Sequence, residues 1–205
     1  MASVRVRWRL LLCVSVLLSA CATQAHETTG IGPIPVGMTV HPVDEYYAVY
    51  GSTAAALRLS MRESGPVSGN RRWDGSTRWN VRWRFRYAPE AGACRVTDVT
   101  VEYTSTIIMP RWRPPPDASP MLRRDWDEFM RALRTHEEGH RNIGADAARQ
   151  VMRRVRSVTA PTCELTGERA NGVGRQTLDE YRALQRRYDE ETGHGRSQGA
   201  TWPPR

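Results

Sequence analysis

From Trp79 onward the chain alternates strictly: Trp79, Val81, Trp83, Phe85 and Tyr87 are interleaved with Arg78, Asn80, Arg82, Arg84 and Arg86. A period of two predicts a strand with an aromatic face for the core and an arginine face for solvent or an anionic ligand. A turn at Ala91-Gly92-Ala93 leads into residues 95–109, where Val99, Val101 and Tyr103 share a face, so a hairpin is expected. If this second strand is the sheet edge, it is the place for an extended peptide to pair. The period then changes. Leu122, Trp126, Phe129, Leu133, His136, His140, Ile143, Ala147, Val151 and Val155 recur at spacings of three and four, the signature of one long amphipathic helix that begins at Ser119-Pro120 and stops before Pro161. Weaker signals give a short strand at residues 46–50 and a helix at 54–63, with an N-cap from Ser52-Thr53 and a stop at Gly65-Pro66. A loop is expected at 167–174, a last helix at 177–188 with Leu178, Tyr181 and Leu184 inward, and an irregular tail from Asp189. Together these elements predict an α+β fold, a small antiparallel sheet packed on one long helix, with an additional N-terminal helix and a C-terminal helix plus loop.

The first residues follow another pattern. Arg5, Arg7 and Arg9 precede an apolar run, Leu10 to Leu18, too short for a permanent membrane anchor but suited to an export signal. Leu18-Ser19-Ala20-Cys21 resembles the lipobox of bacterial lipoproteins, so residues 1–20 read as a signal peptide and Cys21 as the lipidation site, with simple secretion as the alternative. Residues 21–40 are rich in Gly, Pro and Thr and read as a tether, leaving 41–205 as a single domain. The expected location is the cell envelope, lipid-anchored in the periplasm, and Ala22 after the lipid cysteine is compatible with the outer membrane. Export also bears on the cysteines. With Cys13 in the leader and Cys21 lipidated, Cys94 and Cys163 remain, and an even pair in an oxidising compartment predicts one disulfide.

All 30 basic residues are arginine, a bias that says more about the genome than about function. The formal charge of +8 becomes +5 without the three leader arginines, a balance that suits anionic envelope surroundings; no nucleic-acid partner is expected.

The chemistry is carried by His136-Glu137-Glu138-Gly139-His140. On a helix the two histidines lie about 40° apart and one turn above each other, so both rings can reach one metal ion. Both also fall on the apolar stripe, where unpartnered imidazoles would be costly. Glu137, about 100° further round, points past the metal, which is where a general base would take a proton from water acidified by zinc. Gly139 costs the helix about 1 kcal/mol relative to alanine, which implies a need for space there. A catalytic zinc takes three protein ligands and keeps a position for water. The third is open among His194, Asp146, Glu164, Asp179 and Glu180. Asp146 stands six residues after His140, but in a continuous helix it lies roughly 80° away from His136 on the wrong side. His194, between Gly193 and Gly195, sits in a loop free to approach a metal. Tyr188 is the candidate stabiliser of charge on a carbonyl oxygen.

Several further segments carry a resemblance. They are Tyr50-Gly51-Ser52-Thr53, Gly65-Pro66, Gly75-Ser76-Thr77-Arg78-Trp79, Gly92-Ala93-Cys94, Pro110-Arg111-Trp112, the histidine motif, Cys163, and Tyr188-Asp189 through Gly193-His194-Gly195 with Gln198-Gly199. In these the chain resembles bacterial domain-of-unknown-function family 922, described as secreted zinc-dependent proteases. The resemblance implies a zincin-like site with Zn2+ held by His136, His140 and, as third ligand, His194, and with Glu137 as base. The expected function is therefore an envelope metallopeptidase-like hydrolase acting on peptide or protein substrates. The alternative is a non-catalytic envelope-binding lipoprotein with a structural or degenerate zinc site.

Overall fold

The computed structural model describes residues 30–204, so the expectations for the signal peptide and for Cys21 fall outside the described residues. The elements in chain order are β1 (Met38–Val49), α1 (Ala54–Ser64), the short strands β2 (Val67–Ser68) and β3 (Arg71–Arg72), β4 (Ser76–Glu90), β5 (Ala93–Trp112), α2 (Pro120–Arg156), β6 (Thr159–Ala160), α3 (Cys163–Thr192) and a 3-10 turn (Arg196–Gln198). The chain is thus a mixed α+β protein with one main sheet and three helices. Among the described residues no helix is long and apolar enough to cross a membrane.

The alternating segment forms the expected hairpin. β4 runs antiparallel to β5 from Ser76↔Ile108 to Glu90↔Ala93. Its arginine face is exposed, and its inner residues Trp79, Val81, Trp83 and Phe85 pack into the core. The expected edge is corrected, however. β5 is the central strand in the order β1-β5-β4, because β1 pairs parallel with it along its other side, from Met38↔Val101 to Val49↔Trp112. The edge nearest the histidine helix is β4. The strand expected at 46–50 is thus the end of a longer one, and Ile31 and Met38, read from composition as part of the tether, are buried. β1 carries Pro42 and is largely exposed, so it lacks a clean alternation; its pairing with β5 is a backbone matter that side-chain pattern does not report.

α2 matches its expected bounds. Ser119 caps it by accepting from the Leu122 amide at 3.1 Å, Pro120 occupies the first turn, and Arg153, Arg154 and Arg156 lie in the last turn, where cations favour the helix dipole. Over 37 residues it is about 55 Å long and crosses two apolar clusters. Its N-terminal half packs with α1 and the end of β5 around Leu57, Met109, Trp112, Trp126, Phe129 and Trp202. Its C-terminal half packs with β4, β5 and α3 around Val99, Tyr103, Val151, Val155 and Leu178.

The loop expected at 167–174 is instead helix, since α3 runs unbroken from Cys163 to Thr192. Among its glycines, Gly174 fits this packing where a side chain would not. A Cβ at Gly174 would lie 2.5 Å from Trp83 Cζ2, and one at Gly144 of α2 would lie 2.6 Å from Trp79 Cγ. Glycine lets both helices approach the tryptophans of β4, and burial outweighs the cost of about 1 kcal/mol per glycine. The disulfide Cys94–Cys163 is formed with a Cα separation of 5.0 Å, and it ties the start of β5 to the start of α3.

Candidate metal centre

α2 sets His136 and His140 on one face, with their Nε2 atoms 3.3 Å apart. α3 lies across this face and contributes its own i, i+4 pair, Gln185 and Asp189. Asp189 Oδ1 is 3.0 Å from His140 Nε2 and 3.3 Å from His136 Nε2. The far side of each ring is fixed by a carboxamide. His136 Nδ1 meets Gln198 Oε1 at 3.0 Å, and His140 Nδ1 meets Gln185 Oε1, whose Nε2 also donates to the His140 carbonyl at 2.8 Å. An amide oxygen only accepts, so both Nδ1 atoms carry hydrogen and both Nε2 lone pairs face Asp189.

Three acceptor atoms thus converge, and a proton or a cation must sit among them. His136, His140 and Asp189 form a cluster whose ligand atoms lie within 4.8 Å of one another and which could hold a metal ion. Without an ion the cluster is strongly polarised. For Asp189, burial would raise the pKa, but its close contacts with the His136 and His140 rings and the charge of His140 and His194 hold it well below the usual carboxylate range. For His140, burial would lower it, but the Asp189 carboxylate raises it.

Glu137 is buried on the same turn. Thr77 Oγ1, at the start of β4, stands 2.8 Å from its Oε2 and 3.0 Å from its carbonyl oxygen. Glycine at 75 leaves room for the carboxylate, since a Cβ there would come within 2.9 Å of Oε1. Burial pushes the Glu137 carboxyl above its ordinary value, against the opposing hydrogen bond from Thr77. Tyr188 stacks on His136 with centroids 5.2 Å apart and meets His140 edge-on at 5.0 Å. Its hydroxyl accepts from Gln198 Nε2 at 3.0 Å. This ring explains Gly139, where any Cβ would collide with the Tyr188 hydroxyl.

The other sequence candidates are placed differently. His194 flanks the cluster: its Nδ1 is 3.3 Å from Asp189 Oδ1, its side chain is 43% exposed and its ring packs on Trp73 at 4.6 Å. The third atom beside the two histidines is a carboxylate oxygen of Asp189, which lies in α3 and not in an irregular tail. Residues 193–195 all have positive φ, at 57°, 55° and 80°, which turns the chain back so that Gly195 packs on the His136 ring and Gln198 reaches its Nδ1. The two glycines permit that reversal, which also leaves the His194 ring beside Asp189. Asp146 pairs with Arg149 at 2.5 Å, exposed, as its angle on a continuous helix implied. Asp179 and Glu180 pair with Arg182 and Arg154, and Glu164 is exposed in the first turn of α3. Sequence reasoning missed Asp189, Gln185 and Thr77, and it gave Gln198 no part in the site. The spacing of Gln185 and Asp189 repeats that of the histidines and is a usable signal once α3 is known to continue to Thr192.

The fold and this cluster define a class: an α+β protein with a candidate three-donor metal centre between two long helices. A family model described as "Bacterial protein of unknown function (DUF922)" matches residues 44–195, and the chain belongs to that family. No curated protein and no solved structure matches the chain. The matched stretch takes in every residue of the cluster and stops short of Gln198.

Proposed function

We propose that this chain is an exported zinc-dependent metallopeptidase-like hydrolase of the bacterial cell envelope. In this reading His136, His140 and Asp189 are the metal ligands and Glu137 is the general base. The spacing of the donor atoms carries the proposal. Ligands 2.0–2.1 Å from a tetrahedral zinc stand ~3.3 Å from one another, and the three distances here are 3.0, 3.3 and 3.3 Å. Two nitrogens and one carboxylate oxygen suit zinc, and the amides behind each histidine are the outer partners that orient such ligands.

Zinc there would acidify a water molecule towards a pKa of ~7 and polarise a carbonyl. The remaining work falls to the chain. Glu137, desolvated and raised in pKa, accepts the proton of the attacking water and passes it to the leaving amine. Thr77 keeps Oε2 in place, so that Oε1 is the atom left to exchange the proton. Tyr188, locked by Gln198 and by stacking on His136, is positioned to donate to the oxygen on which charge develops. Export and anchoring rest on the leader and on Cys21, and the substrate class is a peptide or protein of the envelope.

A non-catalytic zinc site is the second reading, and His194 favours it. That ring stands beside Asp189, and as a fourth protein donor it would close the set and leave no position for water. Metal analysis of the purified chain is expected to give about one zinc per molecule, with X-ray absorption showing three protein donors and one water oxygen. Glu137→Gln keeps the metal and loses hydrolysis. A metal-free wild type would falsify the proposal, and four protein donors would select the second reading.

A further inference from the structure

The cleft beside the cluster, about 810 Å³, is lined by Gly75, by Ser76, Thr77 and Trp79 to Val81 of the β4 edge, by the β2–β3 hairpin and by α3. Its walls are strongly unbalanced in charge. Seven arginines face three carboxylates, Asp74, Glu137 and Asp189. Some of these arginines are committed within the fold. Arg58 makes a bidentate pair with Asp74 at 2.6 and 3.0 Å, Arg72 donates to the Gly65 carbonyl, and Arg182 pairs with Asp179. Arg62, Arg71, Arg186 and Arg196 have no carboxylate partner among the described residues, and they come from the end of α1, from the hairpin, from α3 and from the 3-10 turn.

Arg71 is held in a particular way. Its guanidinium lies over the Trp73 ring at 4.2 Å, Trp73 packs on His194 at 4.6 Å, and His194 touches Asp189 at 3.3 Å. This stack fixes a cation at most about four residues of extended chain from the cluster, at ~3.3 Å per residue. Arg186 is one helical turn before Asp189, so it stands on the same wall of the cleft as the cluster's carboxylate. A guanidinium already stacked on an aromatic ring, as Arg71 is, loses little freedom when it takes a carboxylate, and its fork matches both oxygens.

Building on the proposed peptide hydrolysis, we infer that the cleft selects peptides bearing carboxylates within about four residues of the bond to be cleaved, with Arg71 and Arg186 as the binding residues. The carboxylate can be an acidic side chain or the free end of a short peptide; the chemistry recognised is the same.

The test measures binding of three fluorescent decapeptides to the full-length chain carrying Glu137→Gln, with zinc content determined on the same sample. One peptide has alternating Glu and Ala with an amidated end, one has Gln for Glu with a free terminal carboxylate, and one has Gln for Glu with an amidated end. At least one carboxylate-bearing peptide is expected to bind about tenfold tighter than the neutral one, and the first two arms show which source is preferred. Arg71→Gln with Arg186→Gln removes that preference, whereas Arg84→Gln on the exposed face of β4 leaves it in place. Equal affinity for all three peptides, no binding, equal loss with Arg84→Gln, or a preference for phosphatidylglycerol vesicles over every peptide overturns the inference. Absence of zinc with the peptide preference intact overturns the hydrolase reading alone.

Discussion

α2 lies in two kinds of surroundings. Its two ends are apolar and anchored by ordinary packing: aromatic around Trp126 and Phe129, aliphatic around Val151 and Val155. Between them, one turn and a half carries His136, Glu137, His140 and Arg141, all buried and all polar. Each of these four side chains has a partner brought from elsewhere, Gln198 for His136, Gln185 for His140, Thr77 for Glu137 and Asp44 for Arg141, and only Arg141 Nε is left without one among them. The ends need only shape and hydrophobicity, which neighbours supply without specificity. The polar segment needs one partner per group, because an unpaired buried polar atom costs several kcal/mol. The ends therefore hold the helix, and the middle fixes which remote segments must meet it.

The sharpest way to break the comparison is to remove one of the proposed ligands. His136→Ala or His140→Ala is expected to abolish stoichiometric metal binding, read by metal analysis, while the far-ultraviolet circular dichroism of the fold stays unchanged. Trp126→Ala should do the reverse. It lowers stability by about 3–5 kcal/mol in chemical denaturation and leaves metal stoichiometry as it was. A Trp126 variant that lost its metal in the folded state would show that the ends and the middle are not separable. The amides come next. Gln185→Ala is expected to weaken metal affinity about 10–100-fold in a chelator competition, because the His140 tautomer is no longer held.

Two pH effects sharpen the same contrast. His140 has a raised pKa in the metal-free fold, so protons compete with the metal once pH falls through a value above 6.5. Affinity is expected to be flat above that point and to drop about tenfold per pH unit below it, as followed by zinc release. Asp44 is the opposite case and the smallest effect. Burial would raise its pKa, but hydrogen bonds from Arg141 and Arg134 and their charge hold it below 3.8. Its contribution to stability is complete above 3.8 and is lost as pH falls through the lower, folded value. The stability difference between wild type and Asp44→Asn should therefore shrink in acid, measured by urea unfolding at pH 7 and pH 3.

The hairpin, the long helix and two residues of the His136, His140 and Asp189 cluster were legible, because each depends on local periodicity or on a short spacing, and the disulfide followed from the count of cysteines. The third residue of the cluster was not. Asp189 was hidden because the last helix was expected to end at Tyr188, one residue before it, whereas α3 runs on to Thr192 before the chain turns at Gly193. The glycines flanking His194 were read as freeing that ring to approach a metal, and the ring does stand beside Asp189.

The sequence by itself determined the amphipathic frame and the pair of imidazoles on its buried ridge, since a helical period and an i, i+4 spacing are properties of one segment. Only the tertiary structure decided what completes the cluster. Asp189 and Gln185 lie 49 and 45 residues from His140 along the chain. They reach it because two helices cross at a face cleared by glycine, a contact that no local pattern encodes.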